Sequence, residues 1–296
     1  MAGKVSWLAN PSNADTTAFR HWGKEFSDNL ATVLGAGSMV RTADTGQIDW
    51  ATVSRPGGTS TYAGYEMYRF DDPAQATAPV FLKIEYGNDA ALTRPSMRFS
   101  VGDGTNGTGT IVGALVLPLM FQAFNVTPSD YIAFPSYVCV QPGYVGIAWA
   151  CGAVSTKPGA MLVVERPCDD DGVLVDEGVV VRGLSFGALA NHQMLRYAQP
   201  KLSYNGMHYC LVPSTRDTSQ VGNEIQVYRH FCAPTPIVRN LIGSCTHMRY
   251  EIIEGTEFNT ALMNGESHGY VALGAWAISA SSSLNANHCF AMRFEA

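Results

Sequence analysis

Residues 80–86, VFLKIEY, and residues 96–101, SMRFSV, decide the fold. In the first, Val80, Leu82, Ile84 and Tyr86 alternate with Phe81, Lys83 and Glu85. In the second, Met97, Phe99 and Val101 alternate with Ser96, Arg98 and Ser100. Successive side chains of a strand point to opposite faces, so this period of two predicts two strands, each buried on one face. Just outside them lie DTGQIDW (44–50), GYEMYRFDD (64–72) and GDGTNGTGT (102–110), short segments dense in turn-forming residues. Further along, apolar runs at 111–117, 137–140, 144–150 and 161–164 show no alternation, as expected of strands buried on both faces. Residues 173–181 are similar but interrupted by Asp176 and Glu177. More strands are expected near 207–212, 224–230, 247–253, 270–278 and 289–294. Pro56-Gly57-Gly58, Asp71-Asp72-Pro73, Gln141-Pro142-Gly143, Lys157-Pro158-Gly159, Asn205-Gly206 and Asn264-Gly265 separate most of these as turns.

One segment breaks the β pattern. Phe19, Trp22, Phe26, Leu30 and Val33 recur at spacings of three and four, which predicts an amphipathic helix over 15–34. Asp15 suits its N-cap, and Gly35 and Gly37 suit its end. Gly23 inside it costs about 1 kcal/mol relative to Ala. Residues 184–197, LSFGALANHQMLRY, read as a second short helix. The expected fold is mainly β: antiparallel sheets of sandwich or jelly-roll type with one N-terminal amphipathic helix. A division into a helix-plus-β region (1–125) and a β-rich region (126–296) would fall at the turn chemistry near Asn125–Pro128; a single domain is the alternative.

Composition narrows the function classes. Of 296 residues 46% are aliphatic or aromatic and 15% are charged, well under the usual quarter. Interface cores are depleted in charge, so the composition favours a chain that covers much of its surface with neighbours. Arg outnumbers Lys by 14 to 5, and the planar guanidinium suits interface ion pairs. A net charge of −6 argues against a nucleic-acid groove. No apolar run is long enough for a membrane span, and no secretory leader is expected. Seven cysteines without a C-x-x-C pair point to reduced thiols in a cytoplasm.

Chemistry-bearing motifs are few. Asp44-Thr45-Gly46 matches the short aspartic-protease signature, but that chemistry needs a second carboxylate sharing a proton. The residues around it favour a turn in which Asp44 caps backbone amides. The loop 102–109 has the glycines of a phosphate cradle but no lysine, and it leads into an apolar run instead of a helix. Its glycines are expected to supply positive φ in a long hairpin turn. Asp103 and Asn106 offer too few acidic ligands for calcium. Asp169-Asp170-Asp171-Gly172 reads as a solvated acidic turn. His208 and Cys210, His230 and Cys232, and Cys245 and His247 are each two apart, and His288 and Cys289 are adjacent. On neighbouring strands two such pairs would supply a tetrahedral zinc. Buried thiols and core histidines are the plainer reading. No catalytic residue and no cofactor is assigned.

The ordered set FRHWGKEFSDNL, RTADTGQIDW, GYEMYRFDD, PVFLKIEYG and SVGDGTNGTGT resembles structural proteins of tailed-bacteriophage virions, over about residues 15–113. The resemblance implies a non-enzymatic component of the tail, baseplate, neck or collar, assembled in the host cytoplasm as a homo-oligomer with other virion proteins. It carries no active site. Head decoration is a further place in the particle, and some cysteines would be free to pair between chains once outside the cell. The alternative is a receptor- or carbohydrate-binding virion module using Trp50, Tyr62 and Tyr65 as stacking platforms.

Overall fold

The computed structural model describes residues 2–8, 16–35, 37–88, 95–113, 119–122, 134–149, 160–166, 179–184, 194–197, 212–213, 227–232, 239–248, 257–261, 267–275 and 288–295. Its one long helix, α1, spans Thr16–Val33. Phe19, Trp22, Phe26, Leu30 and Val33 are all buried, so the predicted stripe is the core-facing stripe. Asp15 lies outside the described residues. At the other end Gly37 takes φ +80° and Ser38 N–H donates to the Gly35 carbonyl, which closes the exit turn.

Among the described residues, three antiparallel sheets, one short ribbon and a 3-10 turn at Pro73–Ala76 accompany α1. The first sheet is ordered β2 (Met39–Arg41), β3 (Tyr62–Phe70), β4 (Phe81–Asn88), β5 (Pro95–Gly102), β8 (Leu119–Gln122). The second runs β1 (Ala2–Leu8), β9 (Phe134–Gln141), β10 (Tyr144–Trp149), β11 (Ala160–Glu165), β12 (Val180–Leu184), β13 (Met194–Tyr197). The third runs β14 (Val212–Pro213), β15 (Val227–Cys232), β16 (Arg239–Met248), β19 (His288–Arg293), β18 (Ser267–Ala275), β17 (Glu257–Ala261). Here β16 lies beside β19, the last strand of the β17–β19 meander, a Greek-key arrangement. The ribbon pairs β6 (Gly104–Thr105) with β7 (Ile111–Val112).

The two sequence patterns separate by layer. On β4 and β5 the alternating set Leu82, Ile84, Tyr86, Met97, Phe99 and Val101 is buried beneath α1, and the intervening face carries Lys83, Glu85 and Arg98. The second sheet is the middle layer. Val138, Val140, Val145, Ile147, Leu162, Val164, Val179 and Val181 join the core shared with α1 and the first sheet. From its opposite face Tyr137 meets Phe294 edge-on at 5.6 Å, and the Tyr144 hydroxyl donates to the Arg293 carbonyl at 3.2 Å. A Cβ on Gly146 would collide with the Tyr144 hydroxyl and the Met292 sulfur, so glycine is what lets the third sheet approach there. Burial on both faces is why β9–β11 read as unbroken apolar runs.

Two expectations are corrected. The run at 111–117 is not a doubly buried strand at its start: Ile111–Val112 is the stem of the glycine hairpin, and Val112 is 49% exposed. The helix expected over 184–197 has strands at both ends, with Val180 paired to Tyr197; residues 185–193 are outside the described set. Strands β1, β2, β8 and β17 went unforeseen, and β16 begins at Arg239, well before the strand expected near 247–253. Pairing of β1 with β9, and a core holding residues from both sides of position 125, tie the two expected regions together.

Candidate functional site

The Asp44-Thr45-Gly46 and glycine-loop motifs meet where β2 leaves the first sheet. Both feet of the following loop stand on β3: Thr42 N–H donates to the Met67 carbonyl and Ile48 N–H to the Tyr65 carbonyl, each at 2.8 Å. Gln47 fills the loop. Its amide donates to the Thr42 carbonyl (2.7 Å), and its oxygen accepts from Met67 N–H (2.9 Å) and Arg41 Nε (2.8 Å). Gly46 takes φ +78°, a value only glycine adopts freely.

Asp44 sits at the loop tip and joins it to the glycine hairpin. Oδ1 accepts from the Thr42 hydroxyl at 2.7 Å; Oδ2 accepts from the Thr105 hydroxyl and from Gly109 N–H at 3.2 Å. Thr45 N–H donates to the Gly107 carbonyl at 2.9 Å. Burial pulls the Asp44 pKa upward, but the bonds from Thr105, Thr42 and Gly109 outweigh it and hold the carboxyl below its ordinary 3.8. An anion held by hydroxyl and amide donors is a cap. A protease carboxylate would share a proton with a second carboxylate. Gly107 and Gly109 take φ of +82° and +87°, as expected for a hairpin turn. The Asn106 side-chain oxygen accepts from Thr108 N–H and Thr110 N–H within its own turn.

The hairpin lies over the outer face of the first sheet. The Tyr65 hydroxyl donates to the Thr45 carbonyl, and a Cβ on Gly109 would fall within the Tyr65 ring. Lys83 Nζ stands 5.1 Å above that ring, and the Arg98 guanidinium stands 4.1 Å from the Tyr62 ring. Glu85 joins the two cations, accepting from Lys83 at 2.8 Å and from Arg98 Nε at 2.6 Å. Burial raises the pKa of both tyrosines; Asp44 adds to the rise at Tyr65, and at Tyr62 Arg98 opposes it.

Trp50 is placed differently from Tyr62 and Tyr65. It turns inward against Phe19 and meets Tyr86 edge-on at 4.7 Å. A Cβ on Gly23 would enter its ring, so Gly23 is the slot that seats Trp50 on α1.

Two buried polar groups carry chemistry that sequence reasoning missed: Glu66, inside GYEMYRFDD, and Arg166. Glu66 is fully buried and accepts from Ser27 of α1 at 2.6 Å and from the Tyr86 hydroxyl at 2.5 Å, with Arg41 at 3.7 Å. Tyr68 also bonds to it, and burial followed by Glu66 pushes Tyr68 and Tyr86 well above the usual phenol range. Arg166, at the end of β11, ion-pairs with buried Asp72 at 2.6 Å and donates to the Ala78 carbonyl at 2.6 Å. Strand parity held a signal for Glu66: it shares the apolar face of Tyr68 and Phe70.

Of the metal candidates, His208 and Cys210 lie outside the described residues. His230 and Cys232 are on β15, Cys245 and His247 on β16. The register pairs Cys245 with Arg229, His247 with Val227, and Cys232 with Arg239, so it sets neither pair opposite the other. On its other side His247 is paired with Cys289 of β19. Among the described residues no three His, Cys, Asp or Glu gather as a metal site. Asp169, Asp170 and Asp171 are outside the described set. A cleft of about 500 Å³ at the edge of the third sheet is lined by Glu257, Phe258, Asn259, Tyr270 and Glu295. There Glu295 is already bonded to Gln141, Arg293 and Gly269 N–H.

Comparison with family models, with curated proteins and with solved structures finds no match to this chain. Among the described residues no helix is long and apolar enough to cross a membrane.

Proposed function

We propose that the chain is a non-enzymatic structural component of a tailed-phage virion, a homo-oligomeric part of the tail or baseplate, or of the neck or collar. The observation that carries this reading is the way its motifs hold one another. Arg20 of FRHWGKEF donates to the Thr52 and Val53 carbonyls, Gly23 seats Trp50 of DTGQIDW, and Ser27 bonds Glu66 of GYEMYRF. Asp44 of DTGQIDW grips the glycine hairpin, and Tyr86 of VFLKIEY bonds Glu66. The motifs that resemble virion proteins are thus joints of one scaffold, and their polar groups are engaged with each other. That suits a building block better than a reaction centre. The low charged fraction fits subunits that cover one another, and the partners would be further copies and other virion proteins.

The test is quantitative mass spectrometry of gradient-purified particles of the encoding phage. Peptides of this chain at a fixed, many-copy ratio to the major capsid protein are expected. Their presence in the lysate but not in particles would overturn the proposal.

A further inference from the structure

Beyond any structural role, the turn of the glycine hairpin assembles the parts of a chemical reaction. We propose that Asn106 and Gly107 form a self-modification site, where the folded turn promotes closure of Asn106 to a succinimide and its conversion to aspartate and isoaspartate. In this reaction the Gly107 main-chain nitrogen attacks Asn106 Cγ. A negative charge develops on Oδ1, the Cγ–Nδ2 bond breaks, and ammonia leaves carrying a proton that originates on the Gly107 amide. Water then opens the ring at one carbonyl to give aspartate, or at the other to give isoaspartate. No oxidant or reductant is involved.

Steric access, oxyanion donors, a proton relay and water access each have a group in place. Gly107 has no Cβ to obstruct the attack, and the space where one would stand is open. Oδ1 accepts from Thr108 N–H at 2.9 Å and from Thr110 N–H at 3.0 Å, two main-chain donors already aimed at the atom that gains charge. Such preorganised donors are the main device for stabilising a tetrahedral oxyanion. The proton on Gly107 N is directed at the Thr105 hydroxyl oxygen, 3.2 Å away, and that hydroxyl donates to Asp44 Oδ2. Thr105 therefore relays toward an anionic acceptor, the arrangement general-base assistance needs. Asn106, Gly107 and Thr108 are exposed, so water reaches the ring.

The product changes the joint. Isoaspartate lengthens the main chain by one methylene just before the Gly107 carbonyl, which is the acceptor for Thr45 N–H. The new carboxylate also lies one residue from Thr105, the partner of Asp44. Conversion acts as a slow, irreversible release of the hairpin from the loop it clamps.

The experiment incubates the full-length chain at neutral pH, one portion folded and one in concentrated guanidinium. Peptide mass spectrometry follows amide-to-acid conversion at position 106, and isoaspartyl methyltransferase labelling counts isoaspartate. Conversion at 106 is expected to run at least about fivefold faster in the folded portion, because only there are the two N–H donors in place. Thr105→Val should bring the folded rate down toward the unfolded one. Asp44→Asn, which keeps an acceptor oxygen without the charge, should slow it too if the valine variant does not fold. A folded rate equal to or below the unfolded rate, or an amide at 106 that persists while the unfolded sample converts, overturns the proposal.

Discussion

At the scale of the residue, Asp44 is held in place by hydroxyl and amide donors on both sides of the clamp. Its oxygens are taken by two threonine hydroxyls and a glycine amide, and these hold its folded pKa below 3.8. A carboxyl depressed on folding contributes stability above its unfolded pKa and loses it as pH falls through the folded value. Asp49 is depressed in the same sense by Ala51 N–H and the Thr52 hydroxyl. The wild-type denaturation midpoint is therefore expected to fall as pH drops below about 4, and Asp44→Asn to flatten that slope while lowering the midpoint at neutral pH. Guanidinium titrations from pH 2 to 7 check this; an unchanged slope in the variant would remove Asp44 from the clamp. That Asp44 caps backbone amides was legible, since aspartate before Thr-Gly is turn chemistry; that the amide is Gly109, in a distant hairpin, was not. The place of Trp50 was not, since nothing in the one-dimensional pattern says which side of a loop an indole takes. Its seat is Gly23, 27 positions earlier in the chain.

At the scale of the element, the two kinds of strand were legible for one physical reason. Strands covered on one face alternate, as β4 and β5 do, and strands covered on both faces do not, as in β9–β11. The same rule misread 111–117, where apolar residues begin as a hairpin stem, and 184–197, where helix-like spacing ends in paired strands. Short apolar segments do not distinguish these outcomes. In α1, Gly23 has a packing role that outweighs helix propensity. Gly23→Ala gains about 1 kcal/mol of helix propensity, yet it drives a methyl into the Trp50 ring, and overpacking costs about 1–3 kcal/mol. A net loss of stability is expected, relieved when Trp50→Leu is combined with it. A double-mutant cycle by chemical denaturation measures the coupling. Additive effects would mean that Gly23 and Trp50 do not share the space.

At the scale of the whole molecule, Arg166 fastens the second sheet to the turn between β3 and β4. With both charges out of solvent, removing one leaves the other unpaired. Arg166→Ala is expected to cost about 3–5 kcal/mol, and Arg166→Met combined with Asp72→Leu considerably less than Arg166→Ala alone. Thermal and guanidinium denaturation of the three proteins would show this, and an Arg166→Ala cost under about 1 kcal/mol would refute it. Among the described residues, β1 and the common core join residues from both sides of position 125. Pairings between residues this distant leave no trace in local patterns.

A cryo-electron microscopy map of the intact particle tests the virion role most directly. The prediction is a symmetric ring of repeated density in the tail, baseplate, neck or collar, each copy accommodating α1 beneath the first sheet with the second sheet stacked behind. A map at side-chain resolution in which every protein density is assigned and none accommodates this chain would contradict it.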